Sequence, residues 1–273
     1  MDMECCRGLN YNRVFMFSPQ PPKRPLPNTE SSTLSEIQQI LADYYADEMD
    51  SSCNQKLPEM PDFSKPGRRI SEQTQLIRVT LRQQTLELNG FPPNDVNIIK
   101  IINHPQYKSP NKYNDISLMV LEKDVKFSKY VQPACLWRTF DTSPLGTKAV
   151  LTGWGVIETA HRTTSPTLQA AEVDILNSNT CDKLLLPLAN RHWQGMKEQQ
   201  LCASILAGGV DACQGDSGGP LQVRIKLPPS SQGAIHYIVG VTSFGFNCAL
   251  PNTPGVYTRV SSFIDWIESI VWK

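Results

Sequence analysis

The chain has 273 residues, and its 26 lysines and arginines balance 26 aspartates and glutamates, so the formal charge is zero at neutral pH. No charge excess favours nucleic acid or an anionic membrane as a partner. No stretch approaches the roughly 20 apolar residues that span a bilayer, and the length suffices for one or two domains with a sizeable core.

The first 75 residues differ in composition from the rest of the chain. Met1–Cys6 has neither the basic nor the apolar region of a secretion signal. Residues 18–31 are rich in proline, which predicts an extended linker. Apolar residues then recur every three or four positions over residues 34–45, which predicts a helix. This part of the chain therefore predicts connecting segments rather than a barrel.

Strand patterns begin at about Leu76 and continue to about residue 260. Short apolar runs separated by turn residues predict strands at Ile77–Leu81, Val96–Ile102 and Ile116–Leu121. Phe263–Val271 has the pattern of an amphipathic helix. We therefore predict an all-β barrel protein that ends in one helix.

The eight cysteines are scattered and form no repeated Cys-x-x-Cys pairs. This spacing favours disulfides over zinc and indicates an oxidising, extracellular compartment. The residues between Leu86 and Val96 offer no persuasive set of calcium ligands. We expect no metal and no cofactor.

The run Asp211–Pro220 carries the clearest catalytic pattern of the chain, Asp-Ala-Cys-Gln-Gly-Asp-Ser-Gly-Gly-Pro. Its glycines let the backbone crowd around the Ser217 hydroxyl, so that the N–H groups of Gly215 and Ser217 can converge on a developing oxyanion. A serine hydroxyl is a weak nucleophile unless a base, normally a histidine held by a carboxylate, activates it. We predict that Ser217 is a nucleophile and that Gly215 contributes an oxyanion donor.

This run resembles the nucleophile loop of the chymotrypsin/trypsin family of serine endopeptidases, and further landmarks follow in the family's order. The resemblance covers about 77–273 and is most marked toward the arthropod clip-domain proteases of the Snake type over 239–266. It implies a trypsin-like double β-barrel. The other matching segments are Asn114–Leu118, Gln132–Trp137, Gly153–Gly155, Thr242–Gly245 and Pro254–Thr258.

The resemblance implies roles for several polar residues and glycines. Asp115 would be the triad carboxylate, and Ser243 would hydrogen-bond to it. Asp211 would lie at the floor of a substrate pocket kept open by Gly245 and Gly255, and would pair with an Arg or Lys side chain of the substrate. By residue type alone, either acid could instead be a solvated surface group.

The resemblance also implies a set of disulfides. Three pairs are expected: Cys181–Cys202, Cys213–Cys248 beside the pocket, and Cys135 with Cys53 of the N-terminal segment. The adjacent Cys5 and Cys6 resemble the pair that ends a clip domain. We therefore divide the chain into 1–75, a clip remnant with linker and propeptide-like sequence, and 76–273, a protease domain.

Two family features have no counterpart in the sequence. Neither an Ile-Val-Gly-Gly-like activation terminus nor an Ala-Ala-His-Cys-like segment with the catalytic histidine occurs. The cleavage site at Arg68-Arg69 precedes Ile70-Ser71-Glu72, which lacks the small, flexible pair of an activation terminus. The first barrel is therefore expected to be incomplete, with unpaired strand edges.

None of the four histidines is assigned the role of the catalytic base. His104 is expected in a turn, His161 and His192 in loops, and His236 on a strand face.

Two functions are consistent with the sequence. The first is a secreted trypsin-like endopeptidase of an extracellular proteolytic cascade, whose chain as written lacks its base and is inactive. The alternative is a non-catalytic protease homologue that binds a partner in such a cascade. The expected partners are protein substrates, cascade proteases and inhibitors, without nucleic acid or membrane.

Overall fold

The computed structural model describes residues 14–17, 78–81, 94–125, 127, 131–158, 163–227 and 233–272. Strands dominate this part of the chain, with two short helices. The prediction of an all-β fold that ends in a helix is confirmed. Among the described residues, no helix is both long enough and apolar enough to cross a bilayer.

The first sheet is antiparallel and has four described strands. They are β1 (Val14–Phe17), β2 (Arg78–Leu81), β3 (Asn94–Asn103) and β4 (Ser117–Leu121). Their order across the sheet is β1-β4-β3-β2, and the described strands do not close into a barrel. The strand patterns from Ile77, Val96 and Ile116 thus correspond to β2, β3 and β4.

Strand β1 was not expected from the sequence, because it lies within the predicted 1–75 segment just before the proline-rich run. It pairs antiparallel with β4, with Val14 opposite Val120 and Phe17 opposite Ser117. One edge of the first sheet that we expected to be open is therefore paired by chain from the N-terminal segment.

The second part of the fold is a closed barrel. Six strands follow one another around it in the order β6-β9-β10-β13-β12-β11, and β11 pairs back with β6. Short strand β5 adds to β12 outside the ring, and β7 and β8 form a separate hairpin. These nine strands are Cys135–Leu136 (β5), Lys148–Gly153 (β6), Val156–Glu158 (β7), Thr163–Thr164 (β8), Gln169–Leu176 (β9), Gln200–Ser204 (β10), Pro220–Lys226 (β11), Ala234–Phe244 (β12) and Gly255–Arg259 (β13).

Two helices complete the described structure. Helix α1 (Ser178–Leu185) begins where the Asn177 side chain accepts the Thr180 N–H, which satisfies an otherwise unpaired amide of the first turn. Helix α2 (Ile264–Val271) follows a 3₁₀ turn at Val260–Phe263. The predicted C-terminal helix therefore starts one residue later than its apolar pattern, at Ile264.

Two of the three apolar clusters among the described residues hold the main parts of the fold together. The barrel interior is filled by side chains that include Val173, Leu201 and Leu221, all at most 1% exposed. A second cluster joins the first sheet to the barrel and to α2, since it contains residues such as Leu118 and Ile267. Burial of this apolar surface is the main favourable contribution to folding.

We predict that Leu221→Ala will lower the free energy of unfolding by about 2–5 kcal/mol, because it leaves a cavity in the barrel. Leu250→Ala is the matched control, since Leu250 is 48% exposed, and it should change stability by at most about 0.5 kcal/mol. Equilibrium urea unfolding with the disulfides intact measures both. Equal effects of the two substitutions would contradict this account of the core.

Candidate active site

Ser217 lies on an exposed turn that is fastened to β12. The Gly218 N–H donates to the Thr242 carbonyl at 2.8 Å, and the Thr242 N–H donates to the Gly219 carbonyl at 2.8 Å. The serine hydroxyl is thereby presented to solvent on a rigid backbone. This exposure is what a nucleophile must have to reach a carbonyl carbon.

Gly215 gives the turn its shape. Its φ is +98°, in the left-handed region, and a Cβ at this position would lie 3.0 Å from the Gly155 Cα. Any other residue would be strained there. Among the described residues, no hydrogen-bond acceptor is found for the N–H of Gly215 or of Ser217, so both donors remain available to a ligand.

Asp216 anchors the same turn from beneath. Its Oδ1 accepts the Gly155 N–H and its Oδ2 accepts the Cys213 N–H, each at 2.8 Å. Burial raises the pKa of Asp216, and these two amides partly oppose the rise. A carboxyl in this position stabilises the turn only because backbone donors replace the water that it has lost.

Asp115 is 1% exposed and lies in the loop just before β4. The Ser243 Oγ donates to its Oδ2 at 2.5 Å, and the Thr258 Oγ1 donates to its backbone carbonyl at 2.7 Å. The structure thus brings Asp115 and Ser243 together. It links them to the Ser217 turn through consecutive residues of β12, because Thr242 bonds to Gly218 and Gly219.

The Asp211 side chain is largely buried. Its Oδ1 accepts the Ala212 N–H at 2.8 Å, whereas its Oδ2 is buried and makes no hydrogen bond of ordinary geometry with a described residue. The pKa of Asp211 is raised to about 7, because burial and, to a smaller extent, the charge of Asp216 outweigh the lowering by the amides of Ala212 and Ala249. A carboxyl oxygen in this state favours a cationic partner.

Gly255 lies directly against this carboxyl. A Cβ at Gly255 would be 2.9 Å from the Asp211 Oδ1 and 3.3 Å from the Tyr257 hydroxyl. A Cβ at Gly245, in contrast, would meet no described atom within 4 Å. The structure therefore places Asp211 with Gly255, and leaves open space beside Gly245.

Two tyrosines near the acids were not singled out from the sequence. The Tyr257 hydroxyl is buried, and burial, then the charges of Asp211 and Asp216, raises its pKa. Burial, then the charge of Asp115, raises the pKa of Tyr107 to about 12. Tyr257 could have been found from its spacing, because residues two apart on a strand share a face and Gly255 was already assigned to the pocket.

Two disulfides brace the barrel side of the site. Cys181 is bonded to Cys202 and Cys213 to Cys248. The second disulfide begins two residues after Asp211 and so holds the loop that carries this acid. The expected pair of Cys135 and Cys53 stays a prediction, since Cys53 lies outside the described residues.

Three histidines are described, and each has other contacts. His104 begins the expected turn, since its carbonyl accepts the Tyr107 N–H at 3.0 Å, and its half-buried ring packs edge-on against Phe263 and Trp266. Burial lowers its pKa. The His192 Nε2 accepts the Arg191 Nε–H at 2.9 Å.

His236 is buried on β12, with its Nδ1 3.1 Å from the Gln222 Oε1. It lies seven residues before Ser243, which corresponds to about 24 Å along an extended strand. Burial, then the charge of Arg224, lowers its pKa to about 4. His161 lies outside the described residues, as do Cys5, Cys6, Arg68 and Arg69.

No group of three or more His, Cys, Asp or Glu side chains that could hold a metal is found in the described part of the chain.

Comparison with known proteins supports the resemblance to the chymotrypsin/trypsin family. The family model described as Trypsin matches residues 70–267. Serine protease snk of Drosophila melanogaster is 40% identical over 203 residues, which are 74% of this chain and 44% of that protein. Serine protease Hayan of the same organism is 42% identical over 65% of this chain, and the clotting factor G beta subunit of Tachypleus tridentatus is 38% identical over 63%. The matched regions span 28% of Hayan and 55% of the clotting factor subunit, so the chain covers about half or less of these relatives.

We predict that the contribution of Asp211 to the free energy of unfolding falls as the pH rises from about 4 to about 7. The folded protein holds a proton on Asp211 up to a pKa of about 7, whereas the unfolded chain has lost it by about pH 4, so this contribution is complete at low pH and lost above pH 7. The difference in free energy of unfolding between the wild type and Asp211→Asn should therefore decrease over this pH range, and that between the wild type and the exposed Asp265→Asn should not. Urea unfolding at a series of pH values measures this, and identical slopes in wild type and Asp211→Asn would contradict it.

Proposed function

Because this chain belongs to the trypsin family, we propose that it is a trypsin-like serine endopeptidase by descent, with a pocket for Arg or Lys side chains. The observation that carries this proposal is the buried Asp211 carboxyl beside Gly255. An enclosed carboxyl with no cationic neighbour in the described part of the chain can discriminate between substrates, since the correct side chain pairs with it and an apolar one leaves it unpaired.

The Ser217 turn supports the proposed chemistry. The Ser217 Oγ would attack the carbonyl carbon that follows the bound Arg or Lys, and the amides of Gly215 and Ser217 would receive the developing oxyanion. Asp115 would orient a histidine base and stabilise its cation, as a carboxylate does in such triads. Ser243 would hold Asp115 in place for this task.

We further propose that the chain with this sequence has negligible turnover. The contacts of His104, His192 and His236 with other groups support this, because a base must come within hydrogen-bond reach of the nucleophile. In a serine protease of another fold, loss of the histidine lowers turnover by about a millionfold.

The same reasoning gives the proposed partners and compartment. The name of the relative from Tachypleus is that of a clotting factor subunit, which supports protein substrates, cascade proteases and inhibitors as partners. The two disulfides of the barrel support an extracellular location.

A non-catalytic homologue that binds a cascade partner is the second candidate. It is favoured by the absence of an Ala-Ala-His-Cys-like segment from the sequence. The retained Ser217 turn, with its left-handed Gly215 and anchored Asp216, favours the enzyme instead. Measurement of substrate turnover distinguishes the enzyme from the non-catalytic homologue.

We predict that hydrolysis of an arginine ester by the purified chain will equal that by Ser217→Ala, because the nucleophile lacks a base. Initial rates at high enzyme concentration, measured against buffer alone, provide the comparison. Turnover that disappears in Ser217→Ala would disprove both the inactivity and the non-catalytic alternative.

We also predict that benzamidine binds in the Asp211 pocket, and that its affinity rises with pH through about 7, where the carboxyl ionises. Asp211→Asn should weaken binding by about 30-fold or more, as expected when one partner of an enclosed charge pair is removed. Titration calorimetry measures this, with Asp265→Asn as the control. Binding that Asp211→Asn leaves unchanged would remove the support for an Arg/Lys pocket.

A further inference from the structure

The N-terminal segment contributes a strand to the sheet that carries the candidate site. All four residues of β1 pair with β4, from Val14 opposite Val120 to Phe17 opposite Ser117. In the described sheet order, β1 is the terminal strand and β4 lies between it and β3. The segment thus occupies the β4 edge that β3 leaves unpaired.

This edge requires an occupant for a physical reason. Every residue of β4 is buried, with exposures from 0% at Leu121 to 4% at Val120. Buried backbone N–H and C=O groups without partners are costly, and only half of those on a strand can bond to a single neighbour. Removal of β1 would leave the other half unpaired within an apolar region.

The position of β1 connects it to the candidate site. Phe17, its last residue, lies opposite Ser117, which is two residues after Asp115. Strand β1 also contacts β12, the strand that carries Ser243. The N-terminal segment therefore helps to enclose the sheet end where Asp115 lies.

The chain from 18 to 77 connects β1 to β2, and it contains proline-rich sequence and the basic pair at Arg68-Arg69. We propose that Val14–Phe17 is a lasting strand of the protease sheet, which stays bound to β4 by backbone pairing after the chain is cut between β1 and β2. After a cut that precedes Cys53, the N-terminal fragment then remains a non-covalent partner of the barrel, whereas after a cut at Arg68-Arg69 the expected Cys53–Cys135 disulfide would hold it as well. This inference depends on neither turnover nor the Asp211 pocket.

The test is made on the full chain. A recognition sequence for a site-specific protease replaces residues 28–34, and Cys5→Ser with Cys6→Ser removes both cysteines that precede the cut. After cleavage of the native protein, size-exclusion chromatography is run with and without denaturant. We expect the two fragments to elute together in native buffer and apart in denaturant. Elution of the N-terminal fragment by itself in native buffer would overturn the proposal.

A matched pair of substitutions, Phe15→Pro and Met16→Pro, distinguishes strand pairing from other attachment. Adjacent residues of a strand direct their amides to opposite sides, so only one of these two amides can face β4. Proline removes a ladder hydrogen bond on that side and is tolerated on the outer side of an edge strand.

We expect the cleaved fragment to dissociate from at least one of the two proline variants. Retention of the fragment in both would show that the β1–β4 ladder does not hold it, and would overturn the proposal. Cooperative urea unfolding of each uncut variant confirms that the barrel has folded, so that dissociation reports on β1.

Discussion

Two consecutive residues of β12 hold the candidate site in register. Thr242 bonds through its backbone to Gly218 and Gly219, the two residues that follow Ser217, and Ser243 donates to the Asp115 carboxylate in the loop before β4. The turn belongs to the barrel and Asp115 to the first sheet, so one strand sets the distance between the two parts. A change of register in β12 would disrupt this arrangement, and so would a shift of the first sheet.

Two buried carboxyls lie at the base of this arrangement, and the fold treats them differently. Asp216 receives an amide on each oxygen, which is the satisfied state of a buried acid. Asp211 receives one hydrogen bond of ordinary geometry, on Oδ1, and its Oδ2 has none among the described residues, although the Ala249 amide is near enough to lower its pKa. Burial raises the pKa of both acids, so the ionised form of each carboxyl is disfavoured in the folded protein. Asp216 nevertheless shapes the turn, and in the proposed function Asp211 pairs with a cation.

Local sequence patterns predicted the fold class and many residues of the candidate site. Short apolar runs between turn residues predicted β2, β3 and β4, and an amphipathic pattern predicted the C-terminal helix. The Gly-Asp-Ser-Gly-Gly-Pro run predicted a crowded turn at Ser217, and the resemblance to the family assigned Asp115 and Asp211. Strand β1 was missed, since four apolar residues before a proline-rich run have no long-range signal of their own. Tyr107 and Tyr257 were missed because their proximity to acids arises from packing.

The sequence by itself determined the kind of protein, a trypsin-family chain, together with the local conformation of the serine turn. It did so because glycine freedom, strand periodicity and the order of motifs are written in neighbouring residues. Only the tertiary structure decided that the Thr258 hydroxyl meets the Asp115 carbonyl across 143 positions of sequence, and that β1 closes the edge of β4. It also decided that burial raises the pKa of Asp211 to about 7. Contacts, strand partners and desolvation depend on which distant segments come together, and that is settled by packing of the whole fold.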